Sequence, residues 1–383
     1  MSARSDEYDA VVVGARCAGA ATAMLMARAG LRVLVLDRVH PGRDTLSTHA
    51  LMSAGVLQLS RWGLLDRIVA AGTPAVTATT FHYGARAETV ELADPLYAPR
   101  RTVLDTTLLA AAQEAGARVR AGMDVTELCR DRTGRVTGVR ARVRGGEAVS
   151  FRAPLTIGAD GLRSTVARLA GAPPVRRGSA ASAIVYGYWP SPWLSHYEWF
   201  YRPGVSAGII PTNHGQVCVW AGLPAERFAS ERRGGLAGLF ARVLAEAAPP
   251  AAALVAGGER VGALRGFPGV PGYLRRAAGP GWALVGDAGY FKDPLTAHGI
   301  SDALRDAEFL SRAVVDGGSD ALRDYERTRD RLSLPLFDAA EAIAGYGWDL
   351  SEIRDLLLSE SAAMKPEVAA LRGLDSAALA GAA

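Results

Sequence analysis

The chain has 383 residues, 49% of them apolar, with a formal net charge of +4 and a pI near 9.1. That apolar share excludes a disordered chain and supports a large core, while the length points to two interleaved lobes rather than one small unit. The mild positive charge contains no basic run, so nucleic acid is not an expected partner; solubility and attraction of anionic small molecules are. Cys17, Cys129 and Cys218 are isolated and odd in number, which gives neither a disulfide framework nor a metal pattern. The opening MSARSDEYDA has no apolar stretch, and no run reaches the ~18 residues of a membrane span, so a reduced, cytoplasmic protein without a transmembrane segment is expected.

Residues 8–13 form a valine-rich apolar run that suits a buried parallel strand ending at Gly14. Residues 18–29 are alanine-rich and read as a helix closed by Gly30. Residues 31–36 (LRVLVL) read as a second buried strand, and Asp37 follows. Strand, glycine turn, helix and acid-ended strand make a dinucleotide-binding βαβ unit. Gly14 allows the tight turn, Gly19 allows close helix–strand packing, and the amides opening the helix face a pyrophosphate. The fingerprint is imperfect, since Arg16 stands at its second glycine position. Asp37, 23 residues after Gly14, can accept hydrogen bonds from ribose hydroxyls, which does not choose between NAD and FAD.

Residues 40–51 (HPGRDTLSTHAL) lead into the next helix, with Ser47 or Thr48 as its possible N-cap. Residues 100–119 read as an amphipathic helix and a strand, and 123–128 follow as MDVTEL. Residues 153–157 read as a strand running into Gly158, Asp160, Gly161 and a serine-capped helix. Between 173 and 277 the texture becomes that of antiparallel strands with Pro/Gly turns, carrying Tyr186, Tyr188, Trp199, Tyr201 and Trp220. Residues 282–285 form another apolar strand, ending in Gly286 and Asp287; a loop with Pro294 leads to Gly299 and a long helix. After 319 the chain is helical, with a small-residue end from 376.

Together the segments at 11–37, 157–171 and 282–314 resemble the flavoprotein family that includes para-hydroxybenzoate hydroxylase, geranylgeranyl reductases and flavin-dependent halogenases. The resemblance runs roughly from Tyr8 to Arg331. It implies an α/β fold: a Rossmann-like FAD-binding lobe, an inserted, mainly antiparallel β-sheet substrate lobe and a helical C-terminal tail. The expected FAD lobe takes 1–75, 100–172 and 278–330; the substrate lobe 76–99 and 173–277; the tail 331–383. By the resemblance Gly14, Ala15, Arg16, Cys17, Ala18 and Gly19 bind the FAD pyrophosphate, and Asp37 with Arg38 the adenosine ribose. Arg16 either assists the pyrophosphate or points to solvent. Arg101, four residues before Asp105, reaches the ribityl or phosphate region, and Val125 touches adenine. Asp160 and Gly161 border FAD in a motif tied to NAD(P)H use. Gly286 and Asp287 hold the ribityl chain. Pro294, Gly299 and Ile300 pass beside the isoalloxazine, as does the stretch containing Arg43, Thr48 and His49. The five aromatics of the inserted sheet are candidate substrate walls, and His49 and His298 are weak catalytic candidates.

No second dinucleotide fingerprint exists, so NAD(P)H would bind transiently, or a separate flavin reductase would supply electrons. The cofactor carries the chemistry, and the protein positions and desolvates it. Halogenation is rejected, because the Trp-x-Trp-x-Ile-Pro stretch is missing and Lys292 lies inside the third motif. The expected reaction is monooxygenation of a hydrophobic or aromatic small molecule through a flavin C4a-hydroperoxide. The competing outcome is a geranylgeranyl reductase-like transfer of hydride to a C=C bond, since the loop 291–300 resembles that branch.

Overall fold

A computed structural model describes residues 7–380 except 41, 144, 145 and 319, with side chains described to 374. The expectations placed on the first six residues, on the side chains of the 376–383 end and on the junction at 319 lie outside this range.

The first unit is a strand, Ala10–Val13, a helix, Cys17–Arg28, and a strand, Val33–Asp37. The strands pair in parallel, Ala10 against Val33 through Val13 against Leu36. All four residues of the first strand are buried, as a strand covered on both faces requires. The helix packs closely because it is built of alanine: a Cβ on Gly19 would stand 1.9 Å from the Gly14 carbonyl oxygen.

Six strands make the main sheet, in the order 278–279, 282–284, 155–158, 10–13, 33–37 and 118–121. All neighbours are parallel except the edge pair 278–279 and 282–284. From strand 10–13 the chain first moves outward to one side and later returns to the other. The strand order therefore reverses at 10–13, and ligands of open α/β sheets bind beyond the carboxyl ends of the strands at such a reversal.

A second sheet has seven strands in the order 261–267, 182–190, 216–224, 205–212, 197–202, 75–83 and 86–97. It is antiparallel apart from the parallel pair of 197–202 with 75–83. Period-two alternation sorts its buried side chains onto two faces. Ile184, Tyr186, Tyr188, Trp199, Tyr201, Cys218 and Trp220 join the core shared with the first unit. Ala183, Val185, Phe200, Val217, Val219 and Ala221 pack under the helix Leu236–Ala247. Burying one such large side chain stabilises by roughly 1.5–3 kcal/mol, so both faces anchor this sheet. Three helices close the chain: Gly299–Asp316, Ala321–Ala344 and Leu350–Ala380. Among the described residues no helix is long and apolar enough to cross a membrane.

Two neighbouring strands of the main sheet end against each other at Gly14, which has φ 107°, a backbone state that side chains with a Cβ strain to adopt. A Cβ there would also meet the Ala159 carbonyl oxygen at 2.4 Å. Gly14→Ala should therefore lower stability by more than the roughly 1 kcal/mol of an ordinary glycine replacement, read as a drop in thermal midpoint. An unchanged midpoint would show that the contact is not tight.

Candidate functional site

One cavity of about 1040 Å³ opens beyond the carboxyl ends of strands 10–13 and 155–158 and extends beneath the seven-stranded sheet. Small-ligand pockets run to roughly 300–1,000 Å³, so this space suits a dinucleotide together with a second molecule.

At its first end stand Gly14, Arg16, Cys17 and Ala18, with Asp37 and Arg38 alongside. The first helical amides have no side-chain cap, since Arg16 occupies the N-cap and offers none. Ala20 N reaches back to Arg16 O at 2.8 Å, which leaves the amides of 17–19 ahead of the helical ladder. These amides and the helix dipole favour an anion. Burial pushes the Cys17 thiol up to about 11, so it stays neutral there. Arg16 is exposed at the cavity lining, and its Nη1 donates to Thr45 Oγ1 at 2.7 Å.

Several of the expected site groups are engaged within the chain. The Ala15 amide donates to Asp37 Oδ2 at 2.7 Å. Asp37 Oδ1 accepts from Val39 N at 2.8 Å, so this carboxylate ties the glycine turn to its own strand end while facing the cavity. Asp160 also lines the cavity, but its carboxylate caps the helix Thr165–Ala170, accepting from Thr165 N at 2.6 Å and from the Ser164 hydroxyl. Neither Ser47 nor Thr48 caps a helix, since the next one begins at Ser53 after Met52.

Arg101 is buried, with Nε and Nη2 bonded to Asp105 Oδ1 at 3.1 and 2.8 Å and Nη2 at 3.5 Å from Cys17 Sγ. None of these bonds uses Nη1. Val125, Gly161, Thr48, Pro294, Gly299 and Ile300 line the cavity as well. Gly19 and Gly286 shape it from behind: Gly286 donates its amide to Asp306 Oδ2 at 3.1 Å and presents Asp287. The Asp287 side chain lines the cavity without a hydrogen bond to any described residue, its backbone oxygen alone accepting from Tyr273. Burial pushes its carboxyl up to about 6, against the pull of Lys292 and Arg101. Arg43 does not reach this cavity; it is exposed beside a small hollow with Gly42 and Asp105.

The roof is aromatic. Tyr186, Trp199 and Trp220 line it, with Ile184 and Phe267. The Tyr186 hydroxyl accepts from Ser47 N at 3.0 Å, which pins the 45–49 loop to the second sheet. Tyr188 and Tyr201 share that face but do not line the cavity. Tyr188 lies behind His49, and Tyr201 packs edge-on against Trp348. The alternation common to all five aromatics selects a face and not a depth.

His49 lines the cavity with φ 73°, uncommon for a residue with a Cβ. Its Nε2 lies 2.5 Å from the Tyr188 hydroxyl, and its Nδ1 has no partner among the described residues. Burial first, then Arg100, Arg101 and Arg265, hold the ring well below the ordinary histidine range, so it is neutral near pH 7 and shares one hydrogen bond with the Tyr188 hydroxyl. His298 is not at the cavity wall. It is buried behind it, with Nε2 2.7 Å from Glu367 Oε2 on the last helix. No motif announced Glu367, Glu360 or the pairing of Lys292 with Asp302; their only sequence signal is the isolated lysine.

A glycine turn at a sheet reversal, uncapped helix amides, an unsatisfied cavity carboxylate and an aromatic roof define a dinucleotide-binding flavoprotein site, and these groups fit FAD. Residues 7–339 match the family model described as the FAD binding domain, and the chain belongs to that family as an FAD-dependent oxidoreductase. It is 30% identical over 373 residues to digeranylgeranylglycerophospholipid reductase 1 of Methanopyrus kandleri, covering 92% of this chain and 94% of that one. It is 36% identical over 173 residues to phenazine 1,6-dicarboxylic acid hydroxylase PhzS of Lysobacter antibioticus, 42% of each chain. The solved structure of the flavin-dependent brominase Bmp2 superposes with TM-score 0.79 at 19% identity, covering 97% of this chain and 99% of that one, a likeness of fold.

The raised Asp287 carboxyl has opposite consequences for folding and for binding. Its protonated form is favoured in the fold, so its burial costs less as pH falls from 6 towards 4. The ionised carboxylate is the stronger acceptor for ribityl hydroxyls, so FAD affinity should fall by up to about tenfold per unit below pH 6. Asp287→Asn should weaken FAD binding by ~1.5–3 kcal/mol at pH 7.5 and remove the pH dependence. Fluorescence titration of FAD at several pH values checks this; a variant that retains wild-type affinity removes Asp287 from the site.

Proposed function

We propose that this FAD-dependent oxidoreductase reduces a carbon–carbon double bond in a hydrophobic, isoprenoid-like molecule. The observation that carries the reading is the length of its likeness to a prenyl-lipid reductase: nearly all of both chains, against less than half for the hydroxylase. The roof supports it, because Trp199, Trp220 and Ile184 offer an apolar wall to a substrate without polar groups.

The amides of Cys17, Ala18 and Gly19 would hold the FAD pyrophosphate at the helix N-terminus, with Arg101 Nη1 as a further donor. Asp37 and Arg38 would hold the adenosine ribose, and Val125 the adenine. Asp287 would accept hydrogen bonds from the ribityl hydroxyls. The amides opening the helix Gly299–Asp316, with Pro294 and Ile300, would hold the isoalloxazine, since a helix N-terminus favours negative charge. Bound FAD supplies two-electron chemistry in the form of hydride. The chain's own contribution is to align the substrate under the aromatic sheet and to exclude water. Tyr186 holds the 45–49 loop in place, and neutral His49 offers a polar contact at a fixed, strained position. NAD(P)H bound transiently near Asp160 and Gly161, or a separate flavin reductase, provides the electrons.

The second reading is monooxygenation of an aromatic or alkene substrate. The hydroxylase match favours it, and so does the same apolar roof, which would protect an oxygen-transferring cofactor from water. One experiment separates the two. Holoprotein, NAD(P)H or dithionite, and geranylgeraniol in detergent are incubated with and without air, and products are read by mass. The reductase reading expects a product heavier by two hydrogens that forms without oxygen. A product heavier by one oxygen, formed only in air, would replace it with the oxygenase.

A further inference from the structure

The end of the cavity beside Pro294 and Gly299 closes on buried charge that no motif requires. Lys292 Nζ is paired with Asp302 Oδ2, the two side chains only 2% and 3% exposed, and both residues line the cavity. The other Asp302 oxygen takes Arg305 Nη1 at 3.0 Å, and Arg305 continues to Asp306 Oδ1 at 2.7 Å. From the last helix, Glu367 Oε2 meets His298 Nε2 at 2.7 Å and stands 3.7 Å from Arg305 Nη1. His298, Asp302 and Glu367 present ligating atoms within 4.8 Å of one another, the spacing of a metal triad. Lys292 and Arg305 already lie against those carboxylates, so the charge is met by side chains.

Arg305 meets one Asp302 oxygen and Lys292 the other. Desolvation offsets much of the attraction in such a buried cluster, so stability alone is a weak reason for it. The choice of cation is also informative. Lys292 and Lys365 are the only lysines in the chain, and every other basic side chain is arginine except the six histidines. Arginine keeps its proton at any accessible pH, whereas a buried lysine can release it.

We propose that Lys292 is the catalytic acid of the reduction, its ammonium delivering a proton to one carbon of the substrate double bond while hydride reaches the other. This rests on the reductase reading above. The balance is complete: the C=C π pair takes the Lys292 proton to form one C–H bond, and hydride from reduced FAD brings two electrons for the other. The saturated product leaves oxidised FAD and a neutral Lys292 amine, which Asp302 holds until it regains a proton from solvent after product release.

Burial first, and then the Arg305 guanidinium, pull the ammonium down from the ordinary lysine value; Glu367, Asp287 and Glu360 oppose that shift. Its other facing groups are Asp302 in direct contact, the Tyr290 ring at 5.0 Å, Asp293 next in sequence, and Asp306 and His298 behind Arg305. Glu360 on the last helix is pushed up to about 8 by burial, against the pull of Lys292.

The test uses FAD-loaded protein. Lys292→Arg keeps the charge and the contact with Asp302 but cannot release a proton. It should bind FAD within about threefold of wild type, while oxidation of its dithionite-reduced flavin by geranylgeraniol slows by ~10²-fold or more, the range for loss of a general acid. Lys292→Met should be as slow. Independently, isotope-labelled lysine gives two NMR signals in the wild type, assigned with Lys365→Arg, and the Lys292 signal should titrate at least one unit below that of Lys365. If Lys292→Arg reacts at the wild-type rate, or if Lys292 stays charged through the titration of Lys365, the proposal is overturned and the reductase reading stands. A wild-type flavin that no alkene oxidises overturns both. Should neither variant fold, the lysine titration in the wild type decides.

Discussion

The cavity exists because two strand ends pass within backbone contact at Gly14. Ala159 N donates to Val13 O at 2.8 Å there, and the space where a Cβ of residue 14 would sit is filled by the Ala159 carbonyl. That contact sets where the parallel sheet reverses its order, and with it where a helix N-terminus, an Asp-Gly turn and a Gly-Asp turn come together. A bulkier residue 14 would push strand 155–158 away and open the cradle at its narrowest point. Arg16 is tolerated two residues later because its side chain leaves along the rim to Thr45.

The second constraint is electrostatic. The first turns of two helices, Cys17–Arg28 and Gly299–Asp316, border the cavity with no side-chain cap on their amides. Helix dipoles attract negative charge to both places. The protein adds fixed charge unevenly. The end at Gly14 has Arg101 held by Asp105, whereas the far end carries the Lys292, Asp302, Arg305, Asp306 and Glu367 cluster. A buried cluster of this kind is an expensive way to stabilise a fold and a good way to fix the electrostatics of a site.

The two large sheets are joined by polar pins across an apolar seam. Tyr186 accepts from the Ser47 amide, Arg100 pairs with Asp44 while its backbone meets Asn213 at 2.8 Å, and Arg100 lies 3.6 Å from the centre of the Tyr188 ring. The last helix adds a third contact from outside either sheet, through Glu367 to His298. The loop 294–299 is thereby held from behind, which explains why Ala297 tolerates φ 50° in this segment. Rigid support from several elements is what strained site residues such as His49 and Ala297 need to persist.

The sequence alone determined the parts whose cause is local. Valine-rich runs ending in glycine became the strands 10–13 and 33–37, the alanine-rich stretch became the helix between them, and the Gly-Asp turn at 286–287 stands where its motif predicts. Alternation placed five aromatics on one sheet face. What those groups meet depends on contacts over long sequence separations, and local pattern does not encode them. Whether a carboxylate caps a helix, as Asp160 does, or faces the cavity unsatisfied, as Asp287 does, depends on which amides the fold brings to it. Tyr186 and Tyr188 differ by one alternation step, yet only the first borders the cavity, because depth is set by how the two sheets pack. The pairing of Glu367 with His298 spans 69 residues and joins a loop to a helix that no motif links to the site. Only tertiary packing could decide that Lys292, one of two lysines in the chain, ends buried against an aspartate at the cavity wall, since burial is a property of the surroundings and not of the residue.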